Sequence, residues 1–191
     1  MKGFFNKILR VNLTDKTFTY ENISDCILSK TLGGKGLGAY LLINENPTGV
    51  EPFAPENIFV ITVGPITGTK MWSQSRFGVY SKSPATGGFG ESYCGGALAP
   101  KIKGCGIDAI ILQGKCSELS FLAIDEKSVS FKDAYPIKGK DTVAAEEYIL
   151  ANALENAGAM TIGPAGENGL AIACIKVNRW HSLGRGGMGA I

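Results

Sequence analysis

The sequence predicts an α+β fold: two pseudo-two-fold-related mixed β-sheets with a few helices, generated by internal duplication. Three observations carry this expectation. Apolar runs of strand length and short helical runs follow one order (hairpin, helix, strand, Gly-Pro, strand, glycine loop), and that order occurs twice. The two Gly-Pro dipeptides, Gly64-Pro65 and Gly163-Pro164, sit in matching surroundings, "VITVGPITG" and "AMTIGPAGE". Glycine makes up 26 of 191 residues, about twice the usual ~7%. It is bunched at residues 33–38, 87–96, 104–106 and 184–189 rather than spread as a linker. The length suits one domain, 1–191, with internal halves of roughly 1–113 and 114–191.

Each element has a local reason. "FFNKILRVNL" (4–13) and "TFTYE" (17–21) read as strands joined by the turn residues Thr14-Asp15-Lys16. Ser24 or Asp25 caps a short helix that "GGKGLG" should break, and "AYLLINEN" forms a second helix ending before Pro47. Gly49, Pro52 and Pro55 mark a loop over 48–57. "IFVITV" (58–63), "RFGVYS" (76–81) and "IDAIIL" (107–112) are buried strands, with "PATGGFGESYCGG" a long glycine-rich loop between the last two. In the second half "LSFLAID" (119–125) and "SVSFKD" (128–133) form a hairpin across Glu126-Lys127. Asp141 caps the longest helix, "TVAAEEYILANALENA", which should close at Gly158. "LAIACIKV" (170–177) is the last strand, followed by "GRGGMG" as the counterpart of the loop at 87–96.

Composition excludes several classes. A net charge of +2 argues against a nucleic-acid binder. No apolar run reaches the roughly 18 residues a membrane span needs. The N-terminus has no signal-peptide pattern, so a cytoplasmic location is expected. Cys26, Cys94, Cys105, Cys116 and Cys174 include no CxxC pair and read as reduced thiols, not as a zinc or iron–sulfur ligand set.

The chemistry concentrates in the glycine loops. Without Cβ atoms they expose consecutive backbone N–H groups, which suits an anion, and arginine adds a planar charged fork for phosphate. Arg76 leads toward one loop and Arg185 lies inside the other. The standard nucleotide motifs are absent: "GPITGTK" lacks P-loop spacing and "GGKGLG" follows no strand. His181 is the only histidine, so no multi-histidine metal site is available. Trp72 reads as a half-buried structural residue, and Glu146-Glu147 as a helix face.

Taken together, "GGKGLGAYLL", "PFAPENIFVITVGPITGT", "RFGVYSKSPATGG", "CGGALAPKIKGCGIDAIILQGK", "IGPAGEN" and "GRGGMGAI", in this order and spacing, closely resemble the N-terminal domain of the tungsten-containing aldehyde ferredoxin oxidoreductases. The resemblance implies that the domain forms a base under a tungsten (or molybdenum) bis-pterin cofactor, with a magnesium ion between the pterin phosphates. It implies cofactor contacts at Arg76, Tyr93, Cys94, Gly95, Gly96, Ser182, Leu183, Arg185, Gly186 and Gly187. Magnesium contacts would come from the backbone carbonyls of Tyr93 and Leu183. No catalytic side chain is expected. Family members are several times longer, and a [4Fe–4S] cluster would be held by residues outside this chain, which therefore reads as an excised domain with a loosely anchored tail from about His181. The implied reaction is oxidation of a small aldehyde to a carboxylate with ferredoxin as partner, in a protein that is a possible homodimer. Three positions depart from the family: Tyr93 for Asn, Ser182 for Arg and Leu183 for Ala. A cofactor-free binding or scaffold module of the same fold is the alternative.

Overall fold

The computed structural model describes residues 1–191 and forms three layers. The central layer is a six-stranded sheet built from β1 (Lys7–Asn12), β2 (Thr17–Asn22), β3 (Phe59–Val63), β4 (Phe77–Lys82), β5 (Phe89–Cys94) and β6 (Ala109–Gln113), in the order β2-β1-β6-β3-β4-β5. Only β1 and β6 run parallel. One face is covered by α1 (Asp25–Thr31) and α2 (Gly34–Glu45), whose Leu28, Leu37, Leu41 and Leu42 pack on Ile8, Val60, Tyr80 and Ile111.

The opposite face buries Leu9, Val11, Ile61, Val63, Phe77, Val79 and Ile110. It packs against α3 (Leu98–Gly104) and the second half of the chain. That half comprises the hairpin β7 (Ser120–Ile124) and β8 (Val129–Asp133), α4 (Thr142–Ala151), and a three-stranded sheet of β9 (Met160–Thr161), β10 (Ile175–Val177) and β11 (His181–Leu183). Alternate residues of β3 therefore feed two different cores, as the two-residue period of a strand requires. No helix is long and apolar enough to cross a membrane.

The α+β class and the repeated order of elements are visible in the topology. β3-β4-β5 and β9-β10-β11 are both antiparallel three-strand meanders. Each first strand runs into a Gly-Pro turn, where Thr67 N–H donates to the Gly64 carbonyl at 3.3 Å and Gly166 N–H to the Gly163 carbonyl at 2.9 Å. The second turn continues as α5 (Pro164–Glu167).

The strands sort into three sheets instead of two, and only the largest is mixed. In the first half β6 bridges the hairpin to the meander. In the second half the residues after β11 form a loop and a 3-10 turn at Met188–Ala190, so β7-β8 stays separate.

Several local expectations are corrected by close packing. "GGKGLG" does not break the helix. Leu32, Gly33 and Gly34 make the left-handed turn between α1 and α2, and α2 then starts at Gly34. "GFGESYCGG" is not a continuous loop, because β5 lies within it. A Cβ at Gly90 would strike the Met188 side chain, so this glycine marks a close approach within a strand. α3 tolerates Pro100 because it lies in the first helical turn. α4 ends at Ala151, short of Gly158, and only Ile175–Val177 of 170–177 is strand. The segment from His181 is not loose: Leu183 and Met188 are buried, and Gly189 N–H donates to the Ala173 carbonyl at 3.0 Å. Trp72, expected half-buried, is 95% exposed.

Gly38 is the tightest point of the helix–sheet contact, since a Cβ there would overlap the ring of the wholly buried Tyr80. Gly38→Ala is expected to lower unfolding free energy by about 1–3 kcal/mol. Gly104→Ala, at an exposed α3 position with open space around it, should be neutral or stabilise by up to about 1 kcal/mol. Denaturant unfolding of the two variants checks both values.

Candidate functional site

The two meanders bring their last strands side by side, β5 against β11. Cys94 ends β5 opposite Phe77, and Leu183 ends β11 opposite Ile175; all four side chains are buried. These matched end rungs pin both strands before the chain turns through glycine. The first turn is Gly95-Gly96, with Gly96 at φ +91°; the second runs through Gly184, Arg185, Gly186 and Gly187, with φ +103° and +72° at the last two. Both turns need the left-handed region that glycine enters freely.

Apart from the Gly95 N–H, which lies against the Cys94 thiol, the backbone donors of these turns are free. The N–H groups of Gly95, Gly96 and Ala97, and those of Gly184, Arg185 and Gly186, donate to no backbone or side-chain oxygen. Ser83 Oγ donates to the Gly186 carbonyl at 2.7 Å and holds the second turn in place. The imidazole of His181 lies on Gly95-Gly96, with Nδ1 3.0 Å from where a Gly96 Cβ would be. The structure thus lays His181, at the start of β11, on the Gly95-Gly96 turn of the first half, while Gly186 is held at Ser83, beyond the other end of β5.

The charges there are uncompensated. Of the four arginines, Arg10 is paired with Glu21 and Glu45, and Arg179 with Glu147. Arg76 and Arg185 are exposed and form no ion pair or side-chain hydrogen bond. Lys176 adds a further cation, and its Nζ donates to Ser182 Oγ at 2.9 Å. Burial pushes the Cys94 thiol above its ordinary range, against the opposing pull of the Gly95 N–H and the charges of Arg76 and Lys176. Cys94 is therefore a neutral, buried wall residue.

Tyr93 contributes in the same way. Its phenol points to the α2 side, where Oη donates to Glu91 at 2.9 Å and Glu91 pairs with Lys35 at 2.8 Å. Its ring stands edge-on to Tyr80 at 6.1 Å. Burial first, and then the hydrogen bond to Glu91, drive the Tyr93 phenol well above its usual range, so it stays protonated.

The rungs also show an offset. Tyr93 lies opposite Gly78 and Ser182 opposite Lys176, each one rung inside the matched ends. Tyr93 and Leu183, the two carbonyls expected at magnesium, are therefore not equivalent positions; Tyr93 corresponds to Ser182. The sequence does not single out Lys176, whose only signal is this register, and leaves His181 open between a surface or hydrogen-bonded residue and a functional one. No group of three or more His, Cys, Asp or Glu side chains is placed to hold a metal. Two open hollows of about 390 and 370 Å³ lie elsewhere, one beside Phe4, Phe5 and Lys103 and one beside Asn12, Glu45 and Pro55.

The family model "Aldehyde ferredoxin oxidoreductase, N-terminal domain" matches residues 8–191. The chain belongs to the aldehyde ferredoxin oxidoreductase family. It is 38% identical over 193 residues to the tungsten-containing aldehyde ferredoxin oxidoreductase of Pyrococcus abyssi (strain GE5 / Orsay), covering 100% of this chain and 32% of that protein. It is 30% identical over 207 residues to the aliphatic sulfonate oxidoreductase, WOR-like subunit, of Pyrococcus furiosus, covering 100% of this chain and 33% of that protein. Among solved structures it superposes on a chain of the active-site complex BamBC of benzoyl coenzyme A reductase with 1,5-dienoyl-CoA. There the TM-score is 0.94 at 35% identity, over 99% of this chain and 29% of that one. The aldehyde ferredoxin oxidoreductase domain thus spans about a third of the length of the relatives it matches.

Proposed function

We propose that this chain is the cofactor-holding base of a tungsten (or molybdenum) bis-pterin oxidoreductase that oxidises an aldehyde to a carboxylate and passes electrons to ferredoxin. One observation carries the reading. Two glycine turns with unused N–H donors sit at matched strand ends, and the arginines beside them, Arg76 and Arg185, are the only two without carboxylate partners. Such a pair of cradles fits a ligand bearing two phosphate groups.

Arg76 with Gly95-Gly96 would hold one phosphate, and Arg185 with Gly186-Gly187 the other. Carbonyls at Tyr93 and at Leu183 or its neighbour Ser182 would supply hard oxygen donors for magnesium, the donor type that ion prefers. When bound, the bis-pterin metal centre supplies the redox chemistry; this domain binds and orients it. Residues outside the 191 would hold a [4Fe–4S] cluster and shape the substrate cavity. A cofactor-free scaffold would leave the free donors and unpaired arginines without a role.

The test is anaerobic expression of the full-length protein with tungstate, followed by metal analysis and pterin fluorescence. Bound tungsten and pterin, with aldehyde-dependent viologen reduction, support the reading. A folded protein without metal or pterin overturns it in favour of the scaffold. The relatives are named for aldehyde, sulfonate and benzoyl-CoA chemistry at 38%, 30% and 35% identity. Sulfonate and acyl-CoA substrates should therefore be assayed beside aldehydes.

A further inference from the structure

One polar side chain at the cradle, His181, has no partner and no part in the phosphate contacts of Arg76, Arg185 and the glycine turns. It is the first residue of β11, opposite Val177, and its side chain is exposed. The imidazole makes no hydrogen bond or ion pair within the chain. It belongs to the second half but lies on the glycine pair of the first: a Cβ at Gly96 would stand 3.0 Å from Nδ1 and 3.3 Å from Cε1, and one at Gly95 3.7 Å from Cδ2. The adjacent strand-end charges are cations, Arg76 and Lys176, both close enough to act on the Cys94 thiol. Nothing within the chain satisfies the ring, and its surroundings favour an anion.

We propose that His181 completes the Gly95-Gly96 cradle from the other half of the molecule, with a ring N–H donating to the phosphate held there. This rests on the cofactor reading above. It gives the cradle a side-chain donor beside Arg76. It also gives Gly96 a second duty: besides its left-handed backbone, the absence of a side chain lets the imidazole sit over the turn.

The test uses the full-length protein expressed under limiting tungstate, with tungsten per chain and released pterin as readouts and circular dichroism as the fold control. Loss of one donor to a charged group should lower cofactor affinity roughly tenfold, so His181→Ala should fall well below wild-type occupancy. His181→Gln, which keeps an N–H donor without a ring, should recover part of it, and Gly96→Ala should behave like His181→Ala. Arg76→Ala is the reference. If Arg76→Ala loses cofactor while folded His181→Ala retains all of it, the proposal fails and the cradle reading stands. If both retain it, the cradle reading fails as well. A folded His181→Gln no better than His181→Ala would also overturn the donor role.

Discussion

Full-length protein carrying Arg76→Ala or Arg185→Ala should emerge folded but depleted of tungsten and pterin. Both side chains are exposed and unpaired, so truncating either leaves no buried charge behind and disturbs no packing. What is lost is a planar, permanently charged fork beside a turn whose N–H groups are unused. A hydrogen bond to a charged group is worth about 1.5–3 kcal/mol, which converts to roughly ten- to hundredfold in affinity. The double variant should lose more than either single one, because the two arginines serve different turns. Metal analysis beside circular dichroism reads the result. Full metal and pterin in both single variants would show that these turns do not hold the cofactor.

Lys103→Ala should destabilise the protein severely. Lys103 and Asp108 form an ion pair at 2.5 Å, with side chains 8% and 0% exposed. Asp108 also accepts from the N–H of Phe5 at 2.9 Å, and the Lys103 ammonium sits 5.3 Å from the ring centres of both Phe4 and Phe5. The pair thus fixes the N-terminal segment to the end of β6. Removing the lysine strands a buried carboxylate, which costs about 3–5 kcal/mol. Asp108→Asn keeps an acceptor for Phe5 and should cost less. Denaturant unfolding compares them; a loss below about 1 kcal/mol for Lys103→Ala, the range of a surface pair, would show that the pair is solvated in solution.

The sequence made the order of elements legible because strand-length apolar runs and turn residues are local signals. β3, β4 and the two hairpins lie close to where Val60, Val79 and the Glu126-Lys127 turn suggested. What was missed depends on neighbours distant in sequence. Gly90 reads as loop, yet it pairs with Ser81 in the β4–β5 ladder, and glycine stands there because Met188, almost a hundred residues later, packs against it. The glycines of α2 read as a break, yet Gly36 and Gly38 lie within the helix, and glycine stands there because Thr31 and Tyr80 leave no room for a Cβ. At the site, Arg76 and the glycine turns were visible as residue types. The rung offset between Tyr93 and Leu183, and the placing of His181 on Gly96, follow from strand register and packing, which no spacing in the sequence encodes.

The side-by-side arrangement of β5 and β11 has a consequence for how tightly ligands are held. If each glycine turn holds a phosphate, as proposed, two such sites on one support would act as a chelate: once the first group of a two-headed ligand has docked, the second would arrive at an effective concentration set by geometry alone. A lone phosphate ion, meeting either turn separately, gains none of this and should bind weakly. The same chain would thereby ignore the abundant single phosphates around it and still retain a bis-phosphate ligand through many turnovers.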